Sequence, residues 1–312
     1  MGIEHSQFSA IEALENRRML TVDIVDGYLI VTATGTSEVI TISLQPGNKN
    51  TLVVSEGDGT TAPQITNIDL AEIMQFFRGA EITGSAGNDL IKIDERFGKL
   101  RVGFFIDGGA GDDTLIGGSG NETFTGGDGN DSISGGGGSD FIEGGLGNDV
   151  IDGGAGEDFI YGGDGDDKIK GGSGHDQLEG GAGNDIMEGG AGNDFIDAGD
   201  GDDSALGGSG NDTVYGGMGN DTVSGDAGND RLFGQWGNDL VYGGGGRDQL
   251  FGGDGDDVLS GGTGNDSLDG NGGHDVLYGG PGADIFHIGP GNSKKQVKDF
   301  SRLFDRYGKF KA

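Results

Sequence analysis

The chain has no cysteine, so it forms no disulfide and offers no thiolate to a metal. It has no run of 18 apolar residues, so no segment reads as a transmembrane helix. Its first residues lack the apolar stretch of a cleaved secretory signal, so export would use another signal. Apolar residues make up 32% and aromatics 7%, too little for a thick globular core. Positive charge is scarce: 19 Lys and Arg stand against 53 Asp and Glu, a net of −34. Such a field repels nucleic acid and anionic membranes and attracts cations, so no nucleic-acid partner is expected. The four histidines (His5, His175, His274 and His287) are scattered, and neither H-E-x-x-H nor G-x-S-x-G occurs. Runs such as Asp164–Asp167 imitate the start of an EF-hand loop but lack its closing Glu, and the G-x-G triplets lack a βαβ setting. The chain therefore reads as a protein without a catalytic site.

Glycine, in contrast, is abundant at 73 residues, about three times ordinary usage. The acids are concentrated: residues 108–287 hold 36 acids against Lys168, Lys170, Arg231 and Arg247. From Gly108 to His287 the chain is twenty nonapeptides in unbroken register, G-G-x-G-x-D-x-U-x with U apolar. The fourth position is always Gly and the eighth always apolar, from Leu115 to Phe286. The sixth position is acidic throughout: Asp113, Glu122, Asp131, Asp140, Asp149, Asp158, Asp167, Asp176, Asp185, Asp194, Asp203, Asp212, Asp221, Asp230, Asp239, Asp248, Asp257, Asp266, Asp275 and Asp284. An isolated copy, Gly84–Lys92, precedes the array out of register and adds Asp89 to this set.

Glycines at positions one, two and four permit positive φ and close backbone approach. Position five, most often Asn or Asp (Asn148, Asn184, Asn265), suits the left-handed region. Positions one to six therefore read as a tight loop. Positions seven to nine read as a three-residue strand with its middle side chain inward and its flanks outward. Two such units make an 18-residue coil. Twenty repeats predict an all-β fold, a parallel β-roll of about ten coils with a thin apolar core between two sheets.

One buried apolar side chain per nine residues offsets little of the entropy of ordering the chain, and stacked aspartates repel one another. A hard cation resolves both problems. Aspartate supplies carboxylates and the glycine-rich turn supplies bare carbonyls, such as those of Gly144, Gly147, Gly162, Gly165, Gly180 and Gly183. Loop n faces loop n+2, which sets Asp149 opposite Asp167 and Asp167 opposite Asp185. A site of six to eight oxygens suits Ca²⁺ better than Mg²⁺. Nine gaps along each edge give about 18 Ca²⁺ at most, whose charge nearly offsets that of the array.

The pattern closely resembles the RTX (repeats-in-toxin) family, the hemolysin-type calcium-binding repeats of bacterial exoproteins. The resemblance covers Gly108–His287. It implies a parallel β-roll, Ca²⁺ bound by sixth-position carboxylates and loop carbonyls, and folding after export into a calcium-rich exterior. It also implies a secreted or cell-surface location and an ABC exporter as a partner. Departures are local. Glu122 replaces Asp, Ala198 replaces the first Gly, and Asp226, Gln235 and Asn271 replace the second. Ala205 is a small core filler, and Trp236 falls in what reads as a loop.

Four regions are expected. Residues 1–20 form a targeting-like segment in which Leu14–Leu20 looks like the L-E-P-R-x-L-L signature of bacterial surface proteins, with Asn16 for Pro. Residues 21–107 form a β-rich cap, with strand-like alternation at 28–33, 38–44 and 51–55, a decayed repeat near Gly35–Ile40, and an undecided stretch at Ala71–Phe77. Residues 108–287 form the roll. Residues 288–312 form a basic cap or export tail, with Val297, Phe300, Leu303, Phe304 and Tyr307 at the spacing of an amphipathic helix. The functions consistent with this layout are a secreted structural or adhesive calcium-binding protein acting at surfaces or polysaccharide, the calcium-binding module of a toxin or hydrolase, and a polysaccharide-acting enzyme.

Overall fold

The computed structural model of the chain describes residues 21–25, 28–32, 39–45, 48–57, 64–69, 79–96, 103–287, 297–298 and 306–307. Two compact units divide it, Met1–Gly145 and Leu146–Ala312. Every described element is a β-strand; among the described residues no helix is present, so none is long and apolar enough to cross a membrane.

In the second unit successive strands alternate between two parallel sheets. Val150–Ala155 pairs with Lys168–Ser173, and that strand with Ile186–Ala191. Phe159–Asp164 pairs with Gln177–Ala182, and that strand with Phe195–Asp200. The register step is 18 residues, as in Ile151↔Ile169↔Met187 and Ile160↔Leu178↔Ile196, which is the expected coil. The eighth-position side chains stack in both sheets. All are buried from Leu115 to Phe286, including Ala205. In Lys168–Ser173, Ile169 is buried and its flanking lysines are exposed, as the alternation requires.

Three expectations need correction. The strands run six residues, positions seven to nine and then one to three, rather than three. The glycine pair continues the strand because position one drops out of the Cα pairing, while position two takes a positive φ that turns the chain. Asp152↔Lys170 is followed by Gly154↔Gly172, with Gly172 at φ 109°. Trp236 consequently ends the strand Arg231–Trp236 instead of lying in a loop, though it is exposed. Position five is not left-handed. The positive-φ non-glycines are the position-two residues Asp226 (66°), Gln235 (81°) and Asn271 (58°), each still paired with its neighbouring coil.

The third correction concerns the tail. Arg306–Tyr307 pairs in parallel with Ile285–Phe286, and buried Val297 bridges Leu277. The ends of the expected amphipathic helix are thus β-paired, because the last strands offer unsatisfied edges that extended chain can cover. Phe300, Leu303 and Phe304 lie outside the described residues.

The first unit begins with the antiparallel pair Thr21–Val25 and Tyr28–Thr32, and the antiparallel run Val39–Gln45, Asn48–Gly57 and Gln64–Asp69. Parallel pairing follows. Tyr28–Thr32 pairs with Gly79–Thr83, which pairs with Phe104–Ala110; Val39–Gln45 pairs with Leu90–Asp94, which pairs with Thr114–Ile116. The strands expected around 28–33, 38–44 and 51–55 are present. The isolated copy joins with a step of 24 residues, Leu90↔Thr114, in place of 18. Residues 1–20, with the surface-protein signature, Ala71–Phe77, and the start of the decayed repeat at 35–38 lie outside the described residues.

Candidate metal centre

Each turn presents its sixth-position carboxylate to the coil beside it. The Asp149 backbone N–H donates to Asp167 Oδ1 at 2.7 Å, and the Asp167 N–H to Asp185 Oδ1 at 2.8 Å, so the predicted pairing of loop n with loop n+2 is realised. The ladder continues through Asp203 and Asp221 to Asp239 on this edge. On the other edge it runs from Asp158 through Asp176, Asp194 and Asp212 to Asp230. Every sixth-position side chain from Asp113 to Asp284, and Asp89, is at most 3% exposed.

One oxygen of each carboxylate is thereby fixed, and the other is left over. The Oδ2 atoms of Asp113, Asp167, Asp185, Asp203, Asp221 and Asp239 are buried and accept no hydrogen bond; the same holds for Asp176, Asp194, Asp212 and Asp230. Buried carboxylate oxygen without a partner is costly, and a cation or a proton relieves it. Burial accordingly pushes Asp185, Asp221 and Asp257 up to about 7, and Asp167, Asp212 and Asp266 up to about 6, with neighbouring aspartates adding to the effect.

A second oxygen converges on the same space. A methyl built on Gly153 would lie 2.6 Å from Asp158 Oδ2 and 2.8 Å from the carbonyl oxygen of Gly171, one coil on. The same two kinds of oxygen face Gly126 (Asp131 and Gly144), Gly162 (Asp167 and Gly180) and Gly261 (Asp266 and Gly279). The position-one carbonyls of Gly144 and Gly180 thus adjoin a carboxylate, and Gly162 opens the space between oxygens. The position-four carbonyls are placed differently. Those of Gly147, Gly165 and Gly183 face the position-four glycine of the next coil. On the opposite edge, the space at Gly174 lies between the Gly156 carbonyl and Asp176 Oδ1, the latter at 3.0 Å from a methyl built there. A cradle of carboxylate and carbonyl oxygen, with no nitrogen or sulfur, is the donor set of a hard cation such as Ca²⁺.

Two acids differ from the column. Asp89 accepts hydrogen bonds from the Ser85 backbone N–H and hydroxyl, so protein donors serve its Oδ2. Glu122, one methylene longer, turns Oε2 back onto the Gly118 N–H at 3.2 Å, and burial pushes it up to about 7. The serine at position two of the isolated copy was the visible signal for the first.

Position five holds a network that sequence reasoning missed. Asn148 Oδ1 accepts from the Asp166 N–H at 2.9 Å, Asp166 Oδ1 from Asn184 at 2.7 Å, and Asn184 Oδ1 from Asp202 at 2.9 Å. On the other edge His175 Nδ1 accepts from Asn193, whose Oδ1 accepts from Asn211. The preference for Asn and Asp there reflects an acceptor oxygen at short reach rather than backbone conformation. The two ladders run oppositely: position five accepts from the following coil, position six from the preceding one.

The profile of the RTX calcium-binding nonapeptide repeat family (four copies to a match) fits the chain at residues 105–133, 116–151, 143–178, 179–214, 215–250 and 251–286. Among solved structures, the chain is similar to a hyperactive, Ca²⁺-dependent, β-helical antifreeze protein from an Antarctic bacterium, with 24% identity and a TM-score of 0.45 over 70% of this chain and 86% of that one. No curated protein matches. With nonapeptides matched from 105 to 286, more than half of its length, the chain belongs to the RTX calcium-binding nonapeptide repeat family.

Proposed function

We propose that this protein is a secreted, non-enzymatic calcium-folded module with a structural or adhesive role at a surface. Ca²⁺ bound in the gaps between stacked turns completes its fold. The ligands are the sixth-position carboxylates from Asp113 to Asp284 and the position-one carbonyls, with up to about 18 ions. Asp89 and Glu122 contribute more weakly, since protein donors already serve their second oxygens. Export through an ABC exporter and contact with extracellular polysaccharide belong to the same reading. In low cytoplasmic calcium the charged array stays open, and outside it closes on metal.

The observation that carries this reading is the row of buried Oδ2 atoms without hydrogen-bond partners, beside converging carbonyls. The test is far-UV circular dichroism during a Ca²⁺ titration, with Mg²⁺ as control. A coil-to-β transition at roughly millimolar Ca²⁺ or below, absent with Mg²⁺, is expected. A complete β signal in excess chelator would sink the calcium-folding mechanism.

A further inference from the structure

Position one is glycine in nineteen of the twenty repeats, and Ala198 is the exception. The geometry at its glycine neighbours shows what a side chain means there. A methyl built on Gly189 would stand 2.6 Å from Asp194 Oδ2 and 2.7 Å from the Gly207 carbonyl; on Gly216 it would stand 2.6 Å from Asp221 Oδ2 and 2.8 Å from the Gly234 carbonyl. Ca²⁺ binds oxygen at about 2.3–2.6 Å, so a methyl at this position and an ion between these oxygens claim nearly the same space.

Ala198 is fully buried and keeps the common register: Asp197↔Tyr215 and Gly199↔Gly217 on one side, Glu179↔Asp197 and Gly181↔Gly199 on the other. Its methyl therefore enters the gap between the turns of Asp203 and Asp221. Asp203 is itself 3% exposed, with Oδ2 accepting no hydrogen bond. The Ala198 carbonyl serves the other gap, where it adjoins Asp185 Oδ2 across from Gly180 as a glycine carbonyl would. The substitution is one-sided.

We propose that Ala198 plugs a single cation site, the gap between the Asp203 and Asp221 turns, and leaves the Asp185 gap intact. The inference rests on the calcium-binding role of the gaps. The array is then interrupted at one internal point on one edge, with a methyl standing where neighbouring coils hold an ion.

Native mass spectrometry of the full chain at saturating Ca²⁺ counts bound ions and tests this. The Ala198→Gly variant is expected to bind one ion more than the unaltered chain. Gly216→Ala, which puts the same methyl into the next gap on that edge, is expected to bind one fewer; Gly261→Ala serves if that variant fails to fold. An equal count for Ala198→Gly and the unaltered chain overturns the proposal, whatever the glycine variants do. Absence of bound calcium in every variant, the unaltered chain included, overturns instead the function on which it rests.

Discussion

At the scale of the residue, a sixth-position aspartate joins two coils. Asp185 Oδ1 accepts from Asp167 while its Oδ2 adjoins the Ala198 carbonyl, and its own N–H donates to Asp203 Oδ1. Asp185→Ala should remove ligands from two gaps and raise the Ca²⁺ midpoint of folding by roughly tenfold or more, since losing a buried charged partner costs about 1–3 kcal/mol. Asp197→Ala, at outward-facing position nine, should shift it by less than about twofold. Equal midpoints for the two variants, followed by circular dichroism, would refute the position-specific assignment. The aspartate column was legible in the sequence because one chemical role repeats every nine residues. Position five was misread because left-handed tolerance and side-chain acceptance favour the same residue types; only the Asn148–Asp166 and Asp166–Asn184 bonds separate them. Ser85 serves Asp89 only through a turn geometry that a single isolated copy does not advertise.

At the scale of the element, each strand contributes one inward rung, and its outward neighbours are free to vary. One sheet uses this freedom to stack rings at position nine. Tyr215 and Phe233 lie 4.6 Å apart and 8° from parallel, and Phe233 and Phe251 lie 4.9 Å apart and 7° from parallel. Arg231 stands 5.7 Å over the Phe233 ring. Phe233→Ala deletes both stacked pairs and should destabilise the calcium-loaded protein by about 1–3 kcal/mol, read as a lower urea midpoint. An unchanged midpoint would mean that the rings only occupy surface. The strand period was legible from the eighth column. Strand length was not, because a Gly-Gly pair reads as a turn until the position-one residue is seen to leave the ladder while positions two and three stay in it. The tail was misread for a related reason. Its helical spacing is a local signal, whereas Arg306–Tyr307 answers to the open edge of Ile285–Phe286.

At the scale of the whole molecule, the acids set the response to pH. The buried aspartates are raised well above their ordinary 3.8, to about 7 for Asp113, Asp185 and Asp257 and to about 6 for Asp176, Asp230 and Asp266. A group raised on folding stabilises the fold fully below its unfolded value and loses that contribution as pH climbs through the folded one. Metal-free protein should therefore gain β-structure on acidification from pH 8 to 4, most steeply between about 7 and 5. Calcium-loaded protein should do the opposite in affinity, because protons compete for the same oxygens and the Ca²⁺ midpoint rises as pH falls through 7 to 6. Parallel pH series with and without Ca²⁺ check both signs. A pH-independent metal-free signal would show that the carboxylates are not buried as described. The overall charge of −34 made cation binding legible from composition alone. The pH response was not, because it depends on the depth to which each carboxylate is sunk.

In the second unit each strand is paired only with the strands 18 residues before and after it in the chain. Under tension such a stack has no long-range tie to share the load. Drawn from one end, it yields a coil at a time, and 18 residues of freed chain amount to roughly 60 Å of slack per step. Every step also opens a gap from which bound metal escapes, so the same coils that make a rigid spacer at rest make a graded, re-closable brake under pull.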